Sequence, residues 1–348
     1  MGSFSKEYLE NLTFHPSTTW FLTLCSEARG MQKMWNSVKP EVLKKLKESA
    51  IIQSTESSNR IEGVEVERGR LLPLATGKSK PRDRSEEEIV GYKNALSYIH
   101  KNYQKIKINA QTIKKIHALA QGGMISDAGQ FKTKDNDIIE INQVGDLSVR
   151  FVPTKAKNTA KAIDQLCLGY QDLAQNNTIP SLILIANFVF DFLCIHPFRD
   201  GNGRISRLLT LLLLEQNDFE VGGYVSLDRI IENTKDDYYR VLKFSSENWH
   251  QDHHELMPWW NYILGVIKSA YQELKERVDL TTHGDHKSSL LRQTILTFNH
   301  SFRISEIQKI HPAIDRELVK KVLAQLKKEG VIVSSGAGRS ATWKKRIL

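Results

Sequence analysis

Cysteine is scarce in this chain of 348 residues: only Cys25, Cys167 and Cys194 are present, and no two of them form a CxxC pair. A disulfide framework needs an even set of closely spaced cysteines, and a cysteine-based zinc site needs paired ones. Both classes are therefore excluded. The same scarcity predicts a reducing, cytoplasmic location.

Long hydrophobic runs are also missing. The most apolar stretch, from Leu182 to Ile195, is short and contains Asn187 and Asp191, whereas a membrane-spanning helix needs about twenty apolar residues. We therefore expect no membrane segment. With 40% hydrophobic and 26% charged residues, the composition is that of a folded globular protein, and the length predicts two or three domains.

Positive charge is concentrated at one end of the chain. The net charge is +9, and residues 285–348 hold thirteen Lys and Arg against five Asp and Glu, which places +8 in this segment alone. A basic module of this kind favours an anionic partner, although a solvated charged surface explains the same pattern.

Apolar residues recur at helical spacing along most of the chain, which predicts a mainly α fold. A loop with Gly77 and Pro81 follows the first helical region, and Ser85 with Glu88 forms a capping box that would open the next helix. The polar segment 279–287 is predicted as a linker. The predicted divisions are an N-terminal helical region at 1–80, a central domain at 81–279 and a C-terminal module at 288–348.

Two short β-rich runs interrupt the helices. DIIEINQ (137–143) and LSVRFVP (147–153) are joined through Gly145-Asp146 and closed by Pro153, which predicts a β-hairpin. The other predicted helices of the central domain lie at 112–121, 159–174, 180–194, 204–216, 236–244 and 259–278.

The segment HPFRDGNGRISR, residues 196–207, lies between the two most apolar predicted helices and has the residue types of a nucleotide site. Gly201, Asn202 and Gly203 precede a helix, so backbone N–H groups at its positive end would face phosphate oxygens. Arg204 and Arg207, three residues apart, supply planar donors to phosphate.

Two further side chains complete the chemistry of this segment. Asp200 is a hard oxygen ligand suited to Mg²⁺, which normally bridges substrate phosphates. His196 is the group that titrates near neutral pH, so it is predicted as the general base. Each residue alone has a structural explanation, because Gly-Asn-Gly and Asp-Gly form ordinary turns and a single His is often only packed. Their combination favours the functional interpretation.

Together these positions resemble the Fic-domain family signature HxFx(D/E)GNGRxxR. The signature is filled without departure by His196, Phe198, Asp200, Gly201, Asn202, Gly203, Arg204 and Arg207. The resemblance takes in the predicted hairpin, roughly residues 129–153, as the family's flap. It implies a Fic-type helical bundle that transfers AMP from ATP to a Ser, Thr or Tyr hydroxyl of a protein and releases pyrophosphate.

The resemblance also implies a role for each residue. His196 would deprotonate the target hydroxyl, and Asp200 would hold Mg²⁺. Tyr238 or Tyr239 would border the adenine, although two tyrosines on a helix are more often partly buried packing residues. The outer edge of the flap would align a target segment by strand addition. The phosphates would be gripped by Gly201, Asn202 and Gly203, with Arg204 and Arg207 on the β- and γ-phosphates.

A second family pattern lies upstream. SSNRIEG (57–63) places Ser58 and Glu62 four residues apart on one face of a helix that Gly63 would end. The segment resembles (S/T)xxxE(G/N), the inhibitory helix of the subclass that carries it on the N-terminal side of the core. This implies that Glu62 pairs with Arg207 and removes a γ-phosphate ligand. A second implied role for Glu62 is to help water remove AMP from a target.

The C-terminal module has three predicted helices, at 289–299, 304–310 and 313–329, followed by the β-rich runs VIVSS and ATWKK around Gly336-Ala337-Gly338. This order resembles a winged helix-turn-helix. It implies DNA binding, although many winged modules serve as protein-interaction or packing domains. The phosphate contacts would come from Lys320, Lys321, Arg339 and Lys344.

The sequence therefore predicts a cytoplasmic Fic-type adenylyltransferase that uses ATP and Mg²⁺, modifies a protein target and itself, and is inhibited by Glu62. Two alternatives are a DNA-binding regulator whose Fic core senses nucleotide, and an enzyme that removes AMP. An intact His196 argues against a pure sensor, because a sensor needs no base.

Overall fold

The computed structural model describes residues 2–10, 12–38, 40–67, 69–122, 126–141, 146–176, 178–279, 284–298, 300–336 and 341–346. Most of these residues are helical, which confirms the predicted mainly α class. The helices are α1 (Lys6–Glu10), α2 (Pro16–Val38), α3 (Pro40–Ile61), α4 (Leu71–Ala75), α5 (Arg84–Asn102), α6 (Ala110–Gln121), α7 (Ala156–Asn176), α8 (Ser181–Ile195), α9 (Asn202–Gln216), α10 (Leu227–Asn233), α11 (Lys235–Ser246), α12 (Met257–Asp279), α13 (Gly284–Thr297), α14 (Ile304–Ile310) and α15 (Arg316–Lys328). The strands are β1 (Ile138–Ile141), β2 (Leu147–Phe151), β3 (Ile332–Ser335) and β4 (Thr342–Lys345), and 3-10 turns span Gly2–Phe4, Tyr103–Lys105, Glu220–Gly223 and Trp249–Gln251.

The centre of the fold is the helix pair α8 and α9, which pack against each other. α8 is buried along its whole length after Ser181, because a helix that is apolar on every side can only lie in a core. α9 is buried as well, with Gly203 and Gln216 as its more accessible positions. The loop between them, residues 196–201, is therefore held at both ends by rigid, buried helices.

The N-terminal helices share this core. Cys25 of α2, Leu46 of α3 and Phe188 of α8 belong to one continuous buried cluster. α2 packs against α12, and α3 packs against α10 and α5. Residues on both sides of position 80 contribute to this cluster, and a domain division at that position stays a prediction. The C-terminal end of α3 is thus fixed relative to α9.

The predicted hairpin is present. β1 and β2 pair antiparallel, with Ile139 opposite Val149. Both of these side chains and that of Leu147 are more than half exposed, so the outer face of the hairpin presents apolar residues to solvent. Of the predicted Gly145-Asp146 turn, residue 145 lies outside the described residues.

The C-terminal elements form around a second buried cluster that includes Leu291, Phe302 and Leu323. Three helices, α13 to α15, precede the antiparallel pair β3 and β4, so the predicted order of elements is found. Their assignment as a winged helix-turn-helix stays a prediction, and residues 337–340, with Arg339, lie outside the described residues.

Two local predictions need correction. The N-cap of α5 is Asp83, whose carboxylate accepts the N–H of Glu86, and no capping box forms between Ser85 and Glu88 because the Glu88 side chain is buried against an arginine of α9. The predicted linker 279–287 is too long. α12 continues to Asp279 and α13 begins at Gly284. Among the described residues, no helix combines the length and the apolar character needed to cross a bilayer.

Candidate active site

His196 is the residue at which α8 ends. Its backbone is left-handed, with φ of 51°, and its N–H donates to the Phe192 carbonyl at 3.0 Å. This conformation is uncommon for a residue with a side chain, and such positions concentrate at functional sites. Burial lowers the pKa of the imidazole to about 4, and the nearby Lys132 ammonium acts in the same direction. The ring is therefore neutral at pH 7, which corrects the expectation that it titrates near neutrality.

The loop that follows His196 is stabilised by hydrogen bonds between its own residues and the start of α9. Asn202 accepts the Phe198 N–H at 2.9 Å and donates to the Phe198 carbonyl at 2.8 Å. Its side chain is buried, so in this structure the amide stabilises the loop and does not project toward a ligand. Gly201, with φ of 80°, makes the left-handed turn that directs the chain into α9.

His117, on α6, is a residue of this site that sequence reasoning missed. Its ring stacks on Phe198 with the centroids 3.7 Å apart. Nδ1 accepts the Gly129 N–H at 2.8 Å, which leaves Nε2 to donate to the Asp200 carbonyl at 3.1 Å. Burial lowers the pKa of His117 to about 4. A neutral His117 therefore links α6, the start of the flap and the loop 196–201.

Arg207 is enclosed by the end of α3. Its Nε donates to Ser58 Oγ at 2.7 Å, and Nη2 donates to Glu62 Oε1 at 2.9 Å. Asp228 Oδ1 lies 3.3 Å from Nε. Only Nη1, which is buried, has no hydrogen-bond partner among the described residues. The structure thus brings the predicted inhibitory pair, Ser58 and Glu62, onto Arg207, although α3 ends at Ile61 and Glu62 lies in the turn that follows.

Glu62 covers the N-terminus of α9. A Cβ at Gly203 would overlap the Glu62 carboxylate and would lie near Arg207 Nη1. The first N–H groups of a helix have no intrahelical acceptor and carry partial positive charge. The carboxylate therefore lies where an anion is favoured, and only glycine allows this close approach.

Arg204 lies deeper than Arg207. Only 2% of its side chain is exposed. Nη1 donates to Glu88 Oε2 at 2.6 Å, and Asn59 and Gln121 accept longer hydrogen bonds from the guanidinium. Its predicted contact with a β-phosphate stays a prediction, since in this structure the guanidinium is occupied by protein groups.

Asp200 is about half exposed at the rim of the site. One carboxylate oxygen accepts the Gly201 N–H at 2.6 Å, and the other pairs with Arg84 at 3.0 Å. Arg84 also pairs with Glu88. A chain of alternating charges therefore runs from Asp200 through Arg84 to the buried Glu88.

Comparison with known proteins identifies this arrangement. Residues 107–214 match the model of the Fic/DOC family, a range that contains His117, the hairpin and the whole 196–207 segment. This part of the chain is a Fic/DOC domain. Proteins of this family generally transfer nucleotidyl groups, most often AMP.

Solved Fic structures have a similar fold. The chain is similar to a Fic family protein from Desulfovibrio desulfuricans G20, with a TM-score of 0.63 and 18% identity over 96% of this chain and 97% of that chain. A Fic domain containing signaling protein from Bacteroides thetaiotaomicron VPI-5482 matches with a TM-score of 0.61 and 19% identity, over 74% and 96%. Fic-1 (aa134–508) from C. elegans matches with a TM-score of 0.60 and 17% identity, over 76% and 74%. At these identities the likeness concerns the fold.

The two predicted adenine residues of the Fic domain differ in exposure. Tyr238 is 3% exposed and packs against Tyr239, Trp259 and Tyr262, so it is part of the core. Tyr239 is half-buried, and the Lys235 ammonium lies 5.8 Å from its ring centroid. Of the two, Tyr239 is the one that a ligand can reach.

The residues present fit a nucleotide and a magnesium ion. Arg207 Nη1 has no partner among the described residues and is a donor for a phosphate, and the Glu62 carboxylate against Gly203 shows that an anion fits at the N-terminus of α9. No cluster of three metal-ligating side chains occurs in the part of the chain that the structure describes. Mg²⁺ nevertheless needs only one or two carboxylates when substrate phosphates supply the remaining ligands, and Asp200 is suited to that role.

Proposed function

We propose that this Fic domain is an autoinhibited protein adenylyltransferase. It transfers AMP from ATP to a Ser, Thr or Tyr hydroxyl of a protein target, including the chain itself, and releases pyrophosphate. One observation carries the proposal: the neutral His196 ring and the N-terminus of α9 lie at the two ends of one loop, and the Glu62 carboxylate bonds Arg207 beside that N-terminus, where we place a phosphate.

The chemistry follows from these groups. The neutral imidazole of His196 accepts the proton of the target hydroxyl as its oxygen attacks the α-phosphorus, and the bond to pyrophosphate breaks. Phosphoryl-type transfer depends mainly on positioning and on charge stabilisation. The N–H groups of α9 and Arg207 orient the phosphates. Mg²⁺ held by Asp200 would neutralise phosphate charge when bound.

Glu62 inhibits by competition for one guanidinium. A carboxylate and a phosphate are both bidentate acceptors for arginine, and Arg207 is too buried to accommodate both while Ser58 holds its Nε. ATP then binds without its γ-phosphate on Arg207, so the α-phosphorus is turned away from His196. Removal of the Glu62 carboxylate frees the site.

The exposed face of the flap is suited to a target segment. Ile139 and Val149 pair across the hairpin and are both exposed, and Lys243 of α11 holds Glu140 of β1 at 2.6 Å. An extended peptide added along this hairpin would gain main-chain hydrogen bonds and apolar contacts.

The test is incubation of purified wild type, Glu62→Gly and Glu62→Gly/His196→Ala with Mg²⁺ and α-labelled ATP, GTP, CTP or UTP, followed by intact mass. We expect one AMP mass from ATP alone, at least tenfold faster in Glu62→Gly and lost with His196→Ala. Glu65→Gly, an exposed neighbour, serves as the matched control and should behave as wild type. Unchanged labelling in Glu62→Gly contradicts the inhibition.

Transfer that survives His196→Ala contradicts the assigned base. No gain from any nucleotide, in every variant, contradicts self-modification and favours the nucleotide-sensing alternative. A DNA-binding assay of the full chain then becomes the decisive measurement. Loss of AMP from a pre-labelled protein that depends on Glu62 would favour AMP removal instead.

A further inference from the structure

Lys132 lies just ahead of β1 and is 7% exposed. Its backbone N–H donates to the Pro197 carbonyl at 2.8 Å. Its ammonium donates to Asn136 Oδ1 at 2.8 Å and to the Ile195 carbonyl at 3.4 Å. The two carbonyls belong to the residues on either side of His196, so one residue holds the chain both before and after the imidazole.

His196 needs such support because of its backbone. A left-handed conformation costs a residue with a Cβ of the order of 1 kcal/mol and persists only where the surroundings fix it. The helix bond from His196 N–H to Phe192 fixes one side. Lys132 fixes the two flanking peptides, and these determine where the ring is presented.

The charge of Lys132 acts on the same ring. Burial lowers the pKa of Lys132 to about 8, so the ammonium is still mostly charged at neutral pH. After burial, Lys132 is the largest influence that lowers the pKa of His196, and Arg150 of β2 adds to it. The Leu193 carbonyl and the Glu62 carboxylate oppose them. A neighbouring cation disfavours the imidazolium form.

We propose that Lys132 is a positioning residue for His196: it fixes the two peptides that flank the ring through its backbone N–H and its ammonium. The charge of the same ammonium disfavours the imidazolium form before ATP binds. The inference rests on the proposed function for the role of His196 as a base. The arrangement also makes the proton affinity of His196 depend on bound nucleotide. The negative charge of a bound triphosphate would offset the Lys132 ammonium and raise the proton affinity of the ring.

The test is an NMR titration of the full chain with isotope-labelled histidine, in which His196→Asn assigns the His196 signal. The variants are Lys132→Gln, which removes the charge and keeps a donor, Lys132→Met, which removes both, and Lys132→Arg, which keeps both. Lys134→Gln is the control, since Lys134 lies two residues further on and is exposed. We expect His196 to titrate at higher pH in the Gln and Met variants and at the wild-type position in Lys132→Arg and Lys134→Gln.

An unchanged His196 midpoint in Lys132→Gln and Lys132→Met overturns the inference. If those two variants fail to fold, the wild type decides it, because a His196 that titrates at its ordinary pH of about 6.5 also overturns it. The titration needs no turnover, so its outcome is separate from the result for AMP transfer. Where transfer is measured, the acidic limb of kcat/KM should move to higher pH in Lys132→Gln, whereas a loss of stability alone would leave that limb in place.

Discussion

The two arginines of the motif have opposite environments. Arg204 is 2% exposed and is neutralised by Glu88, whose side chain is 3% exposed. Arg207 is equally buried, but its partner Glu62 is 29% exposed. A buried partner cannot leave without stranding a charge in the core, whereas a partner at the surface can exchange with another anion. The Arg204 ion pair therefore stabilises the fold, whereas Arg207 can exchange its carboxylate partner for another anion.

Replacement of Glu88 by glutamine tests this difference. Glu88→Gln keeps the volume but leaves Arg204 without a compensating charge, and breaking one side of a buried ion pair costs about 3–5 kcal/mol. We expect the free energy of unfolding to fall by about 3 kcal/mol in urea denaturation. Glu65→Gln, an exposed glutamate, should change it by less than about 0.5 kcal/mol. A loss below about 1 kcal/mol in Glu88→Gln would mean that Asp200, 4.0 Å from Arg204 Nη2, suffices to neutralise Arg204.

At the scale of elements, the sequence predicted those features that depend on residues close together in the chain. The helical character of α8 and α9, the hairpin and the helix–loop–helix placement of the motif follow from periodicity and from short motifs. Glu88, His117 and Lys132 were missed because their partners are distant in sequence: Glu88 bonds Arg204 across 116 residues, and Lys132 bonds Ile195 across 63. No local pattern marks such residues. The cap of α5 was misplaced because Asp83 and Ser85 are both good cap residues, and the burial of Glu88 decides between them.

The end of α3 is held by α10 and α11 as well as by Arg207. Lys235 of α11 donates from Nζ to the Ile61 carbonyl at 2.7 Å, at the last residue of α3, and Arg60 pairs with Glu232 of α10 at 2.8 Å. A cation at the C-terminal end of a helix stabilises that end. These contacts therefore hold Glu62 over α9 without touching the proposed phosphate site.

Lys235→Met is expected to weaken the inhibition without removing Glu62. Loss of a contact worth about 0.5–1 kcal/mol at a helix end corresponds to a two- to fivefold rise in basal AMP transfer, well below the effect of Glu62→Gly. The rate of AMP incorporation in single-turnover assays measures it. Lys44→Met, at an exposed position of α3, should leave the rate unchanged. Equal rates in Lys235→Met and wild type would show that the Lys235 contact does not help to hold Glu62.

At the scale of the whole molecule, the described residues form two buried clusters, which meet at α3. α14 of the C-terminal module packs against α3. Close by, His311 is 3% exposed, and its Nε2 lies 2.6 Å from Thr294 Oγ1. Burial, with Arg277 acting in the same direction, lowers the pKa of His311 to about 3. Both parts of the fold therefore contain a buried histidine whose neutral form stabilises the folded state.

Stability should therefore fall as the solution is acidified from pH 7.5 to 5.0. Burial lowers the pKa of both His117 and His254 to about 4, below the value of about 6.5 in an unfolded chain. The unfolded state then binds more protons below pH 6.5, so the stability that is complete above that pH is lost as the pH falls toward 4. Asp191 acts in the opposite sense. Burial raises its pKa to about 7, so the folded state binds a proton at Asp191 below that pH and gains stability. The loss from the several buried histidines is larger than the gain from this single carboxyl.

A comparison of the adjacent residues His253 and His254 measures how much one buried histidine contributes to the loss of stability at low pH. His254 is 5% exposed and bonds Ser3 through Nε2 at 2.9 Å, with Asp252 as its nearby acid, whereas His253 is exposed. In urea denaturation at the two pH values, each buried neutral histidine accounts for about 2 kcal/mol of the loss at pH 5.0, at about 1.4 kcal/mol per unit below the unfolded pKa. His254→Gln should therefore lose about 2 kcal/mol less than wild type on acidification, and His253→Gln should lose as much as wild type. Because each variant is compared with itself at two pH values, the cost of the substitution to stability cancels. An equal loss of stability in both variants would mean that His254 is protonated in the folded state at pH 5.0.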